Sequence, residues 1–543
     1  MFINYLASIK SIRFDRIFKI AIISFVFFIA LLLAFINLKS WLGIGYDDAY
    51  ITFRYAHNFG QGIGYRFNTG SDVNSASPLL FGLLLGLIGL IQSSSIPYFA
   101  LILNILGLSA IIVGVVMWSE SENKSCVAKM TGTIIGVSIT SSGFLGYWMF
   151  SGMETIFCAG LLTLSLYGFK SHFARAAAGN VKSIQIASII LFSLGFARLE
   201  LSFIAIALGG WFFIATLISR NPLEVRSFQN RIKFGIVPLL TALSVPILTL
   251  LFFKFYYGNV VPDPIRFKRL VHYYISDPKS QWLISKSFVV THFGYVAITA
   301  AISLGFLLLK FRRNYESFAS LLPLVAFVSI VPSILNSPNS DFYRYQIFLI
   351  PLLGLMASSI FKNLNHPAIN AILAVVLVFF SLKTVNQGII DYQTMRDIAV
   401  ADIPIQRDRA TVGKWLEQNT PDGSTVWSGD LGAISFNNPS NLYFDGGGLT
   451  NREIIESVEN GTDFSAAICA AHPDYVADSI DIATDLPSVV WVLDNLSSYY
   501  SSETGNATTT RKSTDLFTLT NLYRANGNGS IGIGVYKINW HGC

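Results

Sequence analysis

The chain has 543 residues, of which 52% are hydrophobic and only 13% charged, with a mean hydropathy of +0.53. A soluble domain carries roughly 25% charged residues, so this composition excludes an ordinary soluble globule and indicates a polytopic membrane protein. The net charge of +6 does not indicate nucleic-acid binding: the basic residues collect in short loops between apolar runs, and no basic patch interleaved with aromatics is present.

Lys10, Arg13, Arg16 and Lys19 precede the first apolar run, 20–38, and by the positive-inside rule place the N-terminus in the cytoplasm. That run is long enough to span and lacks a small-residue cleavage site, so it reads as a span rather than a signal peptide. "GIGYDDAYITFRYAHNFGQG" (43–62) follows on the outer face. Its adjacent carboxylates are unusual beside a bilayer, where the common anchors are Lys, Arg, Trp and Tyr. The next apolar run, 77–91, is short and glycine-rich. If it spanned, the basic loops 170–183, 219–233 and 310–316 would all lie outside, so it reads as a helix in the outer interface.

Further spans fall near 96–118, 130–149, 154–170, 184–197, 199–218, 235–257, 286–309, 318–335, 347–361 and 368–385. With the first they make about eleven. An odd number places the C-terminus outside. The expected organisation is therefore a transmembrane catalytic domain, 1–389, followed by an extracytoplasmic α/β domain, 390–543. In the latter, "DRATVGKWLEQNTPDGSTVWSGDLGAISF" (408–436) reads as helix, turn and strand, 487–494 and 530–538 as strands, and 497–514 as a loop. Four cysteines (Cys126, Cys158, Cys469, Cys543) have no metal-ligand spacing. Cys469 and Cys543 fall in the outer domain, where a disulfide and two separate thiols are both open.

With this topology the unusual polar residues gather on the outer face: Asp47, Asp48 and Arg54 after span one, "SGMET" (151–155), "ARLE" (197–200), "YGNVVPDPIRFKRLVHYY" (257–274) and "SPNSDFYRYQIF" (337–348). Ionisable groups at membrane depth are costly and more often functional than decorative, and five segments contributing them mark a site. Arg198, Arg266, Lys268, Arg269 and Arg344 suit a phosphate. Asp47, Asp48, Glu154 and Glu200 suit a proton or sugar hydroxyls. A polyprenyl-phosphate sugar satisfies both sets. The tyrosines nearby read either as sugar-stacking groups or as an interface belt.

These segments, "DDAYITFRYAHNFGQGIGYRFNTG", "SGMET", "ARLE", "YGNVVPDPIRFK" and "DFYRYQIFLIPLL", resemble the GT-C membrane glycosyltransferases, in the branch of the mycobacterial-type terminal β-1,2-arabinofuranosyltransferases and their bacterial relatives. "VGKWLEQNTPDGSTVWSGDLGAISF" resembles the start of that branch's outer domain. The resemblance implies a multi-pass enzyme of the bacterial cytoplasmic membrane with interfacial helices in the first outer loop. It also implies a lipid-phosphate sugar donor, arabinofuranose or another sugar, and a glycan or lipid-linked acceptor in the cell envelope. By position, Asp47 and Asp48 match the catalytic acidic pair. Arg54, Glu154, Arg198, Glu200, Lys268 and Arg344 match donor-phosphate or substrate-binding positions.

A phosphate ester leaves without strong acid help, so one base suffices. If 47–58 is helical, adjacent aspartates diverge by about 100°, and Asp47, Tyr50, Arg54 and Asn58 share a stripe. Asp47 is then the preferred base, and Asp48 a cap of its own helix. A divalent metal bound by the pair stays open, without decisive ligand spacing. The alternatives are a transporter or flippase of lipid-linked glycans, whose site would lie near the midplane on broken helices, and a scaffold with an outer binding domain.

Overall fold

The computed structural model describes residues 24–122, 126–218, 228–270, 283–301, 325, 343–359, 367–481, 486–494, 512–525 and 531–543, apart from short breaks of one to three residues within those ranges. Long apolar runs become helices because in hydrocarbon each backbone N–H and C=O must be satisfied within its own segment. Among the described residues, three helices are long and apolar enough to cross a membrane: Ser93–Glu122, Leu199–Leu217 and Gln229–Tyr257. Their outward stripes stay apolar: Tyr98, Ile102 and Leu106 are each about half exposed, as are Leu240, Ile247 and Leu251. A surface of that kind suits lipid rather than water. The expected spans 286–309 and 318–335 lie largely outside the described residues.

The helices run in the order α1 (Asp47–Gly60), α2 (Leu79–Gly89), α3 (Ile96–Glu122), α4 (Cys126–Thr140), α5 (Gly143–Phe150), α6 (Thr155–Ala177), α7 (Val181–Ala197), α8 (Leu199–Ile218), α9 (Phe228–Tyr257), α10 (Asp263–Leu270), α11 (Leu349–Ser358) and α12 (Pro367–Asn419). At 1.5 Å per residue α2 is only about 16 Å long, half of a hydrocarbon core. It lies instead against α1. A Cβ on Gly60 would come within 2.4 Å of the Gly89 carbonyl carbon, so the two backbones touch.

The run 130–149 is not one helix, contrary to expectation. It divides into α4 and α5, and α5 meets α6 at a bend of 118°. Hydropathy is blind to this break. Just past the break, Gly143 packs so tightly on α12 that a Cβ there would lie 2.3 Å from the Tyr392 backbone nitrogen.

Helix α12 runs 53 residues, about 80 Å, from a lipid-type surface (Ile372, Val375, Phe379, Leu382 exposed) into the C-terminal domain. It passes unbroken through 389/390, so the two parts are joined by a rigid rod rather than a linker. After it come β1 (Thr425–Ser428), α13 (Leu431–Phe436), β2 (Leu442–Asp445), α14 (Arg452–Glu459), α15 (Phe464–Ala471), β3 (Tyr475–Asp481), β4 (Leu486–Pro487), α16 (Ser513–Leu516), β5 (Phe517–Ala525) and β6 (Ile531–Trp540). The sheet order is β2-β1-β3-β6-β5, with β4 on β3. β1 runs parallel to β2 and β3, while β6 is antiparallel to β3 and β5.

Among the described residues of 487–494, expected as a strand, only Pro487 is extended, paired in β4, and 488–490 and 493–494 are helical. The Val489 N–H is taken by the Asp478 carboxylate (2.8 Å) instead of a neighbouring strand. Cys469 and Cys543 form a disulfide that ties the chain end to α15. Cys158 is free and buried.

One apolar core is shared between the two parts. Tyr55, Tyr65 and Phe67 of the loop after the first apolar segment pack with Val412, Leu416, Val426 and Tyr443. That loop is thereby clamped between the bundle and the C-terminal domain.

Candidate functional site

The site begins at the first turn of α1. Gly45 has φ +67°, a conformation costly for residues with a Cβ, and lies beside the Ser151 carbonyl. Tyr46 then donates its N–H to that same oxygen (2.7 Å), joining the start of α1 to the "SGMET" turn. Asp47 and Asp48 occupy the first turn, where negative charge complements the exposed N–H groups. They point in different directions, as helical geometry requires, and reach different halves of the molecule.

Asp48 is 46% exposed, and its Oδ2 lies 3.7 Å from Arg344 Nη1. Arg344 Nη2 donates to Glu154 Oε1 at 3.2 Å, and Arg198 Nη1 donates to the same oxygen at 2.6 Å. Arg198 Nε and Nη2 then grip both oxygens of Glu200, at 3.3 and 3.1 Å. Glu154 and Arg198 are almost fully buried. The Tyr345 ring lies about 6 Å from both guanidiniums. Asp48, Arg344, Glu154, Arg198 and Glu200, drawn from four separated segments, thus form one continuous ionic chain that surfaces at Asp48.

Tyr343, next to Arg344, has a left-handed backbone (φ +61°), which is costly for a bulky residue. Its ring is held against Phe144 and Phe288 at centroid distances of 5.4 and 4.6 Å.

Three expected residues fall elsewhere. Arg54 does not reach the ionic chain. It is buried at the seam with the C-terminal domain, where Nε donates to the Phe67 carbonyl (2.8 Å), Nη1 to those of Ser435 and Asn438, and Nη2 to that of Asn441 (2.7 Å). With its donors spent on carbonyls, it is a seam pin rather than a phosphate ligand. Burial lowers its pKa to about 10, which leaves it charged at neutral pH. Asp47 also faces the C-terminal domain, accepting from the N–H groups of Gly432 (3.1 Å) and Ala433 (2.9 Å). The capping role expected of Asp48 on its own helix is therefore filled by Asp47 on a different one, α13. Lys268 lies on α10, and its side chain is outside the described residues. The start of α10 is fixed by the fully buried Asp263, which accepts from Arg266 (3.0 Å) and from the Asn74 N–H (3.3 Å).

The acidic residues do not fit a divalent cation. Glu154 and Glu200 are neutralised by guanidiniums, and Asp47 and Asp48 diverge. Among the described residues no group of three or more His, Cys, Asp or Glu is placed to hold a metal. Sequence reasoning passed over Arg409, Asp430 and Gly432. They lie in a stretch legible for its helix–turn–strand pattern, and the contacts of Gly432 and Arg409 with Asp47 become visible only where the chain folds onto α1.

The whole architecture has known counterparts. The apo oligosaccharyltransferase of Archaeoglobus fulgidus superposes over 98% of this chain and 75% of its own, with a TM-score of 0.54 at 11% identity. AglB from the same organism, in complex with an inhibitory peptide and a dolichol-phosphate, covers 96% and 74%, with a TM-score of 0.54 at 13% identity. ArnT from Cupriavidus metallidurans, bound to undecaprenyl phosphate, covers 95% and 98%, with a TM-score of 0.51 at 12% identity. The chain has the GT-C fold. Identities this low establish the shared fold and leave the reaction to be argued from the site. Residues 393–524 match a family model described as a domain of unknown function (DUF8728). No curated protein sequence matches the chain.

Proposed function

We propose that this GT-C protein is a membrane glycosyltransferase. It moves a sugar from a polyprenyl-phosphate donor to an envelope glycan at the extracytoplasmic face of the bacterial cytoplasmic membrane. The observation that carries the reading is Asp48: a half-exposed carboxylate at the mouth of a buried ionic chain, 3.7 Å from Arg344. Asp48 takes the proton of the acceptor hydroxyl while its oxygen attacks the anomeric carbon. The bond from that carbon to the phosphate oxygen breaks, and the polyprenyl phosphate leaves with the electron pair. Arg344 supplies positive charge for the departing phosphate, and Glu154, Arg198 and Glu200 hold Arg344 in place.

Two features support the finer assignments. The sequence resemblance to arabinofuranosyltransferases makes arabinofuranose the first donor to test. A cavity of about 410 Å³ between the first loop and the edge of the sheet, lined by Asn68, Thr69, Thr425, Asn451 and Glu453 and by no member of the ionic chain, offers hydroxyl-binding groups to a part of an acceptor glycan remote from the reacting hydroxyl.

The test is transfer in membrane vesicles from radiolabelled polyprenyl-phosphate sugars, arabinofuranose first and then hexoses. Asp48→Asn at matched expression should lower transfer at least about a hundredfold, the range for loss of a general base. Asp47→Asn, which retains one acceptor oxygen for α13, should lose less. Undiminished transfer by Asp48→Asn would remove Asp48 from the base role. A wild type that binds the lipid but transfers no sugar would favour a transporter.

A further inference from the structure

Asp47 and Asp48 are neighbours with Cα atoms about 3.8 Å apart, yet they are held by different domains. Asp48 belongs to the ionic chain of the bundle. Asp47 is gripped by the C-terminal domain, through the N–H groups of Gly432 and Ala433. The contact is close enough to dictate residue type: a Cβ on Gly432 would fall 2.0 Å from the Asp47 carbonyl oxygen and 2.7 Å from its carboxyl carbon. Gly432 has ordinary helical geometry, so the lack of space, and not its backbone conformation, requires glycine.

The gripping segment is itself braced. Asp430 accepts from Arg409 Nη2 (2.5 Å) and from the N–H of Ser479 (3.0 Å), and the Ser479 hydroxyl donates to the same carboxylate. Asp478 accepts from the N–H groups of Gly429 and Asp430, both at 3.2 Å. Arg409 Nη1 also stands 4.0 Å from Asp47. Burial lowers the pKa of Arg409, but Asp430 and Asp47 together outweigh it and hold the guanidinium firmly charged. Along the seam Arg54 binds three carbonyls of 435–441, and the Asn68 amide pairs with both the N–H and C=O of Tyr443 on edge strand β2.

We infer that the C-terminal domain is a working part of the active site, in which Gly432, Asp430 and Arg409 are positioning residues that fix the first turn of α1 through Asp47 and so aim Asp48. The inference rests on the reading of Asp48 as the base. A displacement of about 1 Å at a reacting group can cost a hundredfold in rate, while Arg344, Glu154, Arg198 and Glu200 are held by one another within the bundle and not through Asp47. Disturbing the grip therefore lowers kcat and leaves donor KM nearly untouched.

The experiment compares wild type, Gly432→Ala and Asp430→Asn as full-length protein. It reads steady-state transfer and amide hydrogen exchange over residues 46–53. Gly432→Ala should lower kcat tenfold to a hundredfold with donor KM within twofold, and should raise exchange at 46–53 while 155–165 stays protected. Asp430→Asn should move both readouts in the same direction by less. Wild-type kcat in Gly432→Ala, or a fall in kcat with unchanged exchange at 46–53, overturns the inference. If Gly432→Ala does not fold, Asp47→Asn removes part of the same contact from the opposite side and is held to the same outcomes. If Asp48→Asn retains full transfer, the base reading has failed on its own account. The exchange measurement then still decides whether the C-terminal domain fixes this turn.

Discussion

Arg54 shows how a charged residue can be conspicuous in sequence and have its destination hidden. Its place on a stripe with Asp47, Tyr50 and Asn58 followed from helical spacing, and the stripe is real: Asn58 donates to the carbonyls of Arg66 and Phe67, sharing the latter with Arg54. Its partners at 435, 438 and 441 lie more than 380 residues away in the chain, beyond the reach of any local pattern. The two roles separate by experiment. Arg54→Met removes donors from four buried carbonyls, of which those of Phe67 and Ser435 keep a second donor in Asn58 and the Asn438 N–H, and should cost roughly 2 kcal/mol or more, read as a lower thermal unfolding midpoint. Arg54→Lys should recover only part, because an ammonium cannot reproduce the guanidinium fork. Donor affinity should be unchanged in any folded variant. A loss of donor binding without loss of stability would return Arg54 to the phosphate site. By contrast, Glu154, Arg198, Glu200 and Arg344 stand out in the sequence because charge at membrane depth has few other reasons to exist, and the structure brings the four into one ionic chain.

At the scale of elements, the sequence spoke clearly wherever one physical rule dominated. Charge in the loops was enough to read 77–91 as non-spanning, and α2 is indeed an 11-residue helix. Where tertiary contact decides, it was silent: hydropathy does not show the close approach of Gly143 to Tyr392 of α12, nor the Asp478 carboxylate that takes the Val489 N–H at the turn 488–490. Glycines carry much of this hidden information. Gly60 lies where α1 and α2 touch backbone to backbone, so Gly60→Ala should force the helices apart and cost about 1–3 kcal/mol. Gly210, inside α8, has nothing within 4 Å of its would-be Cβ. Gly210→Ala should be neutral or stabilise by up to about 1 kcal/mol, since alanine gains helix propensity there without a clash. Equal effects of the two substitutions on thermal stability would show that α1 and α2 do not depend on this approach.

At the scale of the whole molecule, composition alone was enough to indicate the broad class, because only 13% of residues are charged and the mean hydropathy is +0.53. The internal architecture was less accessible, since α12 carries lipid-type and water-type surfaces in one uninterrupted helix. The orientation of that rod in the membrane has a chemical consequence at its far end. Cys469 and Cys543 close a loop of 74 residues, worth roughly 4 kcal/mol by the chain-entropy relation. The bond persists only in an oxidising compartment. If the C-terminal domain is extracytoplasmic, thiol alkylation of intact cells followed by denaturation should find both cysteines protected until a reductant is added. Cys469→Ser should then lower the unfolding midpoint of the domain. Through the grip on Asp47, it should also reduce transfer more than it reduces donor binding. Cysteines that alkylate fully without reductant would place the domain in the cytoplasm. The ionic chain would then face the cytoplasm too, and the donor would have to present its sugar on that side.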